Sequence, residues 1–187
     1  LEFVAKGTRP NQTFLHETIE RNLEHFRPVF DWMKKSLTII TPNTTFLGLE
    51  RNVNKDEGLR DFLGSILQAA GTGIVAVRTE VAPIGTQADL PEELLEDAQK
   101  NLTDGKFLFG RHRGGMRFAI TKHKDELVVF RLRTVHMADG KEVLFDVHEE
   151  SDGTQRLFDL APMLDRMLHS ESTEVFVVDE IDRSLHP

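Results

Sequence analysis

The most informative part of the sequence is Val175-Phe176-Val177-Val178-Asp179-Glu180, because four apolar β-forming residues run directly into two carboxylates. A short, unbroken apolar run of this kind is typical of a strand buried on both faces, as in a parallel sheet covered by helices. In such sheets, ligands bind beyond the carboxyl ends of the strands. The two acids therefore emerge where a binding site is expected, and their hard oxygen atoms suit a magnesium ion.

A second polar element lies upstream, at residues 149–156, where it opens a helix predicted over residues 154–168. Ser151 is a good N-cap candidate, and Gly153 lets the backbone approach a ligand closely. The free N–H groups and the positive dipole end of a helix start suit an anion. Taken alone, each element also has a plain interpretation: a capped helix, or a buried strand that runs into a solvated acidic turn.

The rest of the chain carries both helical and strand patterns, which together give an α/β fold class with an antiparallel subregion. Apolar residues at three- and four-residue spacing predict one amphipathic helix over 14–35, with Pro28 as a candidate break, and another over 59–70. A polar helix opened by Pro91 is predicted within 86–103. Short strands are predicted at 37–40 and 74–81, and an antiparallel meander at 116–121, 127–135 and 143–147.

Composition limits the classes of function. The 187 residues carry a net charge of −8 and contain no cysteine, which excludes disulfides, zinc ribbons, iron–sulfur clusters and a cysteine nucleophile. The acidic charge argues against broad adhesion to nucleic acid or to an anionic membrane. The apolar runs are too short to span a bilayer, so we expect a soluble cytoplasmic protein without a membrane partner.

The two polar elements together resemble a known family. A Ser-x-Gly-x-Gln element that opens a helix, followed by a strand that ends in Asp-Glu, resembles the signature helix and Walker B strand of the ABC-type ATPases, including RecF-like and SMC-like proteins. More widely, the chain looks like bacterial AAA family ATP-binding proteins with an ABC-like core. That resemblance runs in the same order along nearly the whole chain, weakest over 43–58, and rests on residues 8–15, 28–32, 73–74, 150–157 and 179–187.

The resemblance implies part of an ABC-type P-loop NTPase fold with an inserted helical and antiparallel β lobe. Residues 1–105 would form that inserted helical and mixed lobe. Residues 106–187 would hold the meander, the signature helix and the Walker B strand of the ATPase core. The implied activity is binding and hydrolysis of Mg-ATP at a homodimer interface, which drives a conformational change.

The same resemblance assigns roles to single residues, with ATP and Mg2+ as cofactors. Asp179 would hold the metal, and Glu180 would activate the attacking water. The signature residues would contact the γ-phosphate of nucleotide held by the other subunit; they are Ser151, Asp152, Gly153, Thr154 and Gln155. The segment after Walker B resembles the D-loop, which would line the dimer seam through Asp182, Ser184 and His186.

One departure from the family is serious, because no G-x-x-x-x-G-K-[S/T] phosphate loop occurs in the sequence. In the family this loop lies upstream of everything seen here, and a switch histidine lies beyond the last residue. We therefore expect a C-terminal fragment of a longer protein. Without the loop's backbone cradle and lysine, we predict that this chain alone neither binds ATP tightly nor hydrolyses it.

A non-enzymatic alternative stays open. The chain would then be a nucleotide-gated module that binds a protein effector or a nucleic acid, and the basic and aromatic residues within 106–122 could contact nucleic acid. His136 and His148 lie near the signature in sequence, where a polar role beside nucleotide is open. Family analogy suggests DNA maintenance or phage defence as the setting.

Overall fold

The computed structural model describes residues 1–84, 90–111, 115–169 and 173–181. Contacts divide the chain into two compact units. The first comprises residues 1–43 with the strand near the C-terminus, and the second comprises residues 44–169. Helices, a parallel strand pair and an antiparallel sheet are all present, in agreement with the predicted α/β class. Among the described residues, no helix is long and apolar enough to cross a membrane.

The first unit combines three helices with a parallel pair of strands. The helices are α1 (Glu2–Gly7), α2 (Phe14–Glu20) and α3 (Arg27–Ser36), and the strands are β1 (Leu37–Ile40) and β7 (Val175–Val178). Residues Leu37 to Ile40 pair in order with Val175 to Val178. Both strands were expected from their apolar runs, and the parallel pairing joins segments that are far apart in sequence.

The single helix predicted over 14–35 is wrong, because that stretch forms α2, a short 3-10 turn at Glu24–Phe26, and α3. The interruption lies at Asn22, whose φ of 57° belongs to the left-handed region and ends a right-handed helix. Pro28 is not the cause. It lies in the first turn of α3, where a missing N–H costs no hydrogen bond.

The second unit places helices on an antiparallel sheet. Its elements are α4 (Leu49–Lys55), α5 (Glu57–Ala69), β2 (Ile74–Pro83), α6 (Glu92–Asn101), β3 (Phe107–Arg111), β4 (Arg117–His123), β5 (Glu126–Ala138), β6 (Lys141–Asp146) and α7 (Asp152–His169). The strands run in the order β2-β5-β4-β3, and β6 also pairs with β5. The long strand β5 is therefore the centre of the sheet. The meander β4-β5-β6 and helix α7 confirm the predicted elements.

Two apolar clusters hold this unit together. In the first, α5 and α7 pack on the sheet through Leu63, Leu67, Val77, Leu132 and Phe158. The second lies under α6, with Ile120 and Val129 from the sheet. Because α7 is fixed to the sheet through the first cluster, its N-terminus has a defined position beside β5 and β6.

The observed division differs from the predicted boundary between residues 105 and 106. Strand β2 lies before that boundary and β5 after it, yet the two are hydrogen-bonded along their length, from Ile74 opposite His136 to Pro83 opposite Val128. A sheet shared across residue 105 joins the two segments into one unit. The observed division instead falls after Asn43.

Candidate functional site

The end of β7 carries the two predicted acids. The parallel pairing continues one step past the strand, where the Asp179 amide donates to the carbonyl of Ile40 at 2.8 Å. Asp179 and Glu180 are both exposed. Glu180 has a φ of 48°, in the left-handed region that is uncommon for a residue with a side chain. The strand therefore ends in a sharp turn that presents two carboxylates.

The expectation that this strand is buried on both faces is not met. Val175 and Val177 are 40% and 49% exposed, and Ile39 opposite Val177 on β1 is 60% exposed. The physical reason is that β7 pairs with β1 only, and the described residues cover just one face of this two-stranded sheet.

The start of α7 is capped as the sequence predicts. The Ser151 hydroxyl oxygen accepts from the Thr154 amide at 3.2 Å and lies 3.0 Å from the Thr154 hydroxyl. The Gln155 amide donates to the Ser151 carbonyl at 2.9 Å, the first full turn of the helix. The amides of Asp152 and Gly153 then have no acceptor inside the helix, as is usual for a first turn. They are the groups that an anion would meet.

The side chain of Gln155 is engaged within its own chain. Its amide nitrogen Nε2 donates to the carbonyls of His148 and Glu150, at 3.2 and 2.9 Å. These two carbonyls belong to the turn that leads into the helix. Gln155 therefore fastens this turn to the first turn of α7, and both N–H donors of its side-chain amide are used within the chain, so neither is left to donate to a phosphate.

The turn before Ser151 is held at several further points. The Asp146 carboxylate accepts from the His148 amide at 3.2 Å and contacts His148 Nδ1 at 2.7 Å. The Glu149 carboxylate accepts from the Asp146 amide at 2.6 Å, which completes a capping box. Glu150 contacts Thr134 and His136 on β5. His136 and His148 thus both contact carboxylates of this turn.

Charged groups are buried beneath the same helix. Arg117 on β4 forms an ion pair with Asp159 on α7, and both side chains are almost fully buried. Burial, with Arg111 nearby, lowers the pKa of Arg117 to about 10. Burial likewise raises the pKa of Glu50, against the lowering effect of Arg117. Arg117 therefore does not belong to a solvated basic face, as the nucleic-acid interpretation of residues 106–122 would need.

The residues present suit magnesium and a polyphosphate. Among the described residues, no group of three or more His, Asp or Glu side chains could hold a metal by itself. Magnesium usually takes one or two protein carboxylates and completes its shell with water and phosphate oxygens, so a single exposed acid such as Asp179 is adequate. The amides of Asp152 and Gly153 match phosphate oxygens. The predicted D-loop residues Asp182, Ser184 and His186 lie outside the described residues.

The sequence patterns indicated the end of β7 and the start of α7 as candidate positions, but they did not indicate the contacts that support the α7 start. Glu150 was noted only as part of a motif, and its partners Thr134 and His136 were not connected to it. The local signal was limited to a glutamate directly before the N-cap. Its partners lie 16 and 14 residues away, and only the strand register brings them to it.

The chain is similar to a known protein family. The sequence model of the family described as "AAA domain, putative AbiEii toxin, Type IV TA system" matches residues 6–187, almost the whole chain. No curated protein and no solved structure gives a match. The matched residues include the strand that ends in two acids and the capped helix start. The chain therefore belongs to this AAA-domain family of P-loop ATPases.

Proposed function

We propose that the protein carrying this chain binds and hydrolyses Mg-ATP between two copies of itself, in the manner of ABC-type ATPases. One observation carries the proposal: a single family match spans a parallel strand ending in Asp179 and Glu180 and a helix start with open amides. The first supplies groups for a metal and a water. The second supplies groups for phosphate.

The two parts of the site have separate tasks. Asp179 would hold magnesium, which neutralises charge on the phosphates. Glu180, next to it at the strand end, would accept a proton from the attacking water. The α7 start of the partner copy would direct the amides of Asp152 and Gly153 at the γ-phosphate, where charge develops in the transition state. Closing and opening of the dimer would then follow binding and release of nucleotide.

Replacing Glu180 tests this assignment. In the full-length protein, Glu180→Gln keeps the size of the side chain but removes the base, so ATP should bind while turnover falls by about 100-fold or more. Steady-state hydrolysis and retention of labelled ATP measure the two effects. As a matched control, Glu174→Gln changes another glutamate just before the same strand and should leave turnover unchanged. Wild-type rates in the Glu180→Gln protein would remove Glu180 from its role.

The family description supports a proposal for the biological setting. Its printed wording names a putative AbiEii toxin and a Type IV toxin–antitoxin system. We propose that hydrolysis is coupled to such a defence function, with an effector protein as the partner. Growth of cells with and without the gene under phage challenge, compared with the Glu180→Gln allele, tests whether the ATPase step is needed.

The non-catalytic alternative makes a different prediction. A nucleotide-gated module without hydrolysis would show no turnover, and its binding to a partner would be the same before and after the Glu180→Gln change. A reading frame with a glycine-rich loop that ends in Lys-Ser or Lys-Thr upstream of this chain favours the ATPase. The buried ion pair of Arg117 weakens the case for nucleic acid as the partner.

A further inference from the structure

Glu150 is the point where the central strand meets the helix start. Its carboxylate is only 10% exposed and lies 2.7 Å from His136 Nε2, and the Thr134 hydroxyl donates to the same oxygen, Oε1. Thr134 and His136 are two residues apart on β5, so both side chains stand on the same face. The residue directly before the N-cap Ser151 is thereby tied to the middle of the sheet.

The imidazole of His136 is itself confined. The Phe145 ring meets it edge-on, with 5.2 Å between ring centroids. On another side lies Gly73, with a φ of 79°, where an added Cβ would lie 3.6 Å from His136 Nδ1. A left-handed glycine lets the chain turn into β2 at this place without strain. His136 therefore has a fixed orientation in which Nε2 faces Glu150.

The contact between Glu150 and His136 lies among the carboxylates that surround the start of α7. Three carboxylates, those of Glu149, Glu150 and Asp152, flank the helix start that would receive a phosphate. Glu149 accepts a backbone amide and Asp152 is exposed to solvent. Glu150 is the least exposed of the three, and its carboxylate is held by contacts within the chain. His136 Nε2 lies within hydrogen-bond distance of that carboxylate.

We propose that His136 is a positioning residue for the α7 start. Acting through Glu150, it fixes the turn that carries Ser151, so that the amides of Asp152 and Gly153 can receive a γ-phosphate. Gln155, which donates to the Glu150 carbonyl at 2.9 Å, holds the same residue from the helix side. This inference rests on the proposed function.

The test measures nucleotide-induced dimerisation in the full-length Glu180→Gln protein, with ATP and magnesium, by sedimentation. His136→Ala removes the hydrogen bond to Glu150 and should weaken the dimer by about tenfold or more, because small displacements at a reacting site are costly. His136→Gln keeps a donor and should stay within about threefold. The matched control is His123→Ala, at an exposed histidine that ends β4, and it should change nothing.

A second measurement separates this inference from the proposed function. In the 187-residue chain, His136→Ala should speed amide hydrogen exchange over residues 147–155 and leave α5 unchanged. If the Glu180→Gln protein forms no dimer with ATP, the proposed function is contradicted, and the exchange result alone decides whether His136 holds the turn. If the His136→Ala change leaves the ATP-induced dimer of the Glu180→Gln protein as stable as before, the inference is overturned. Equal losses in the alanine and glutamine variants, with a lowered melting temperature in both, would reduce His136 to a packing role and overturn it too.

Discussion

At the level of single residues, Glu50 carries a carboxyl group that the fold buries. Its carboxyl group lies on α4, is 3% exposed, and is near Arg117, Arg111 and Asp146. Burial raises its pKa above the usual 4.5, and the arginines only partly oppose that effect. An acid with a raised pKa in the folded state binds protons more tightly there than in the unfolded state. The stability linked to the protonated form is therefore lost as the pH rises through the folded-state pKa.

Glu50→Gln should consequently raise the melting temperature at pH 7. The amide has nearly the same shape but no charge to bury. The gain should shrink as the pH falls and vanish below the usual pKa of 4.5, where the native carboxyl group is also neutral. Thermal unfolding at several pH values checks the sign. A variant less stable than the native chain at pH 7 would show that the arginines outweigh burial.

At the scale of one element, α7 has two tasks that a pair of substitutions can separate. Ser151 caps the helix, and in the proposal it also lies at the phosphate. Ser151→Ala should cost about 1 kcal/mol of stability through the lost cap. Ser151→Asp should keep the cap, because aspartate is an equally good N-cap, yet place a negative charge where phosphate is expected.

The expected outcome for Ser151→Asp is native stability together with loss of ATP-induced dimerisation. Chemical denaturation of this chain measures the first property, and sedimentation of the full-length protein with ATP measures the second. If the aspartate variant still forms dimers with ATP as well as the native protein does, the α7 start does not receive the γ-phosphate.

A turn that depends on neighbouring residues can be predicted from the sequence. Contacts and strand pairings between distant residues cannot. The pair Asp139-Gly140 indicates the turn between β5 and β6. Its φ values of 51° and 72° match a tight hairpin turn. The break at Asn22 was missed, since the apolar spacing continues across it. The contact of Glu150 with His136 depends on strand register and on side-chain direction, for which the sequence carries no local mark. The pairing of β2 with β5 is equally non-local.

Across the whole second unit, a buried ion pair joins the sheet to α7. Arg117 comes from β4 and Asp159 from the middle of the helix. Removing one member leaves an unpaired charge in a place that water cannot reach. Asp159→Ala should therefore destabilise the chain by about 3 to 5 kcal/mol.

Replacing both members of the Arg117–Asp159 ion pair should destabilise the chain far less than removing one of them. The double variant Arg117→Met with Asp159→Leu has no charge to bury and keeps similar volumes, so its stability should lie within about 1 to 2 kcal/mol of the native chain. Equilibrium unfolding in denaturant compares the three proteins. If Asp159→Ala costs less than the double variant, the pair does not hold the helix to the sheet.

The central claim is that one copy supplies the strand-end acids and another supplies the helix start of each ATP site. This arrangement can be tested by measuring turnover in a mixture of two inactive full-length variants, Asp179→Asn and Ser151→Asp. In a mixed dimer, one site would carry both changes and the other would be intact. The account predicts recovery of about a quarter of wild-type turnover, since about half of the dimers are mixed and half of their sites work. A mixture as inactive as either variant alone would contradict a site shared between two copies.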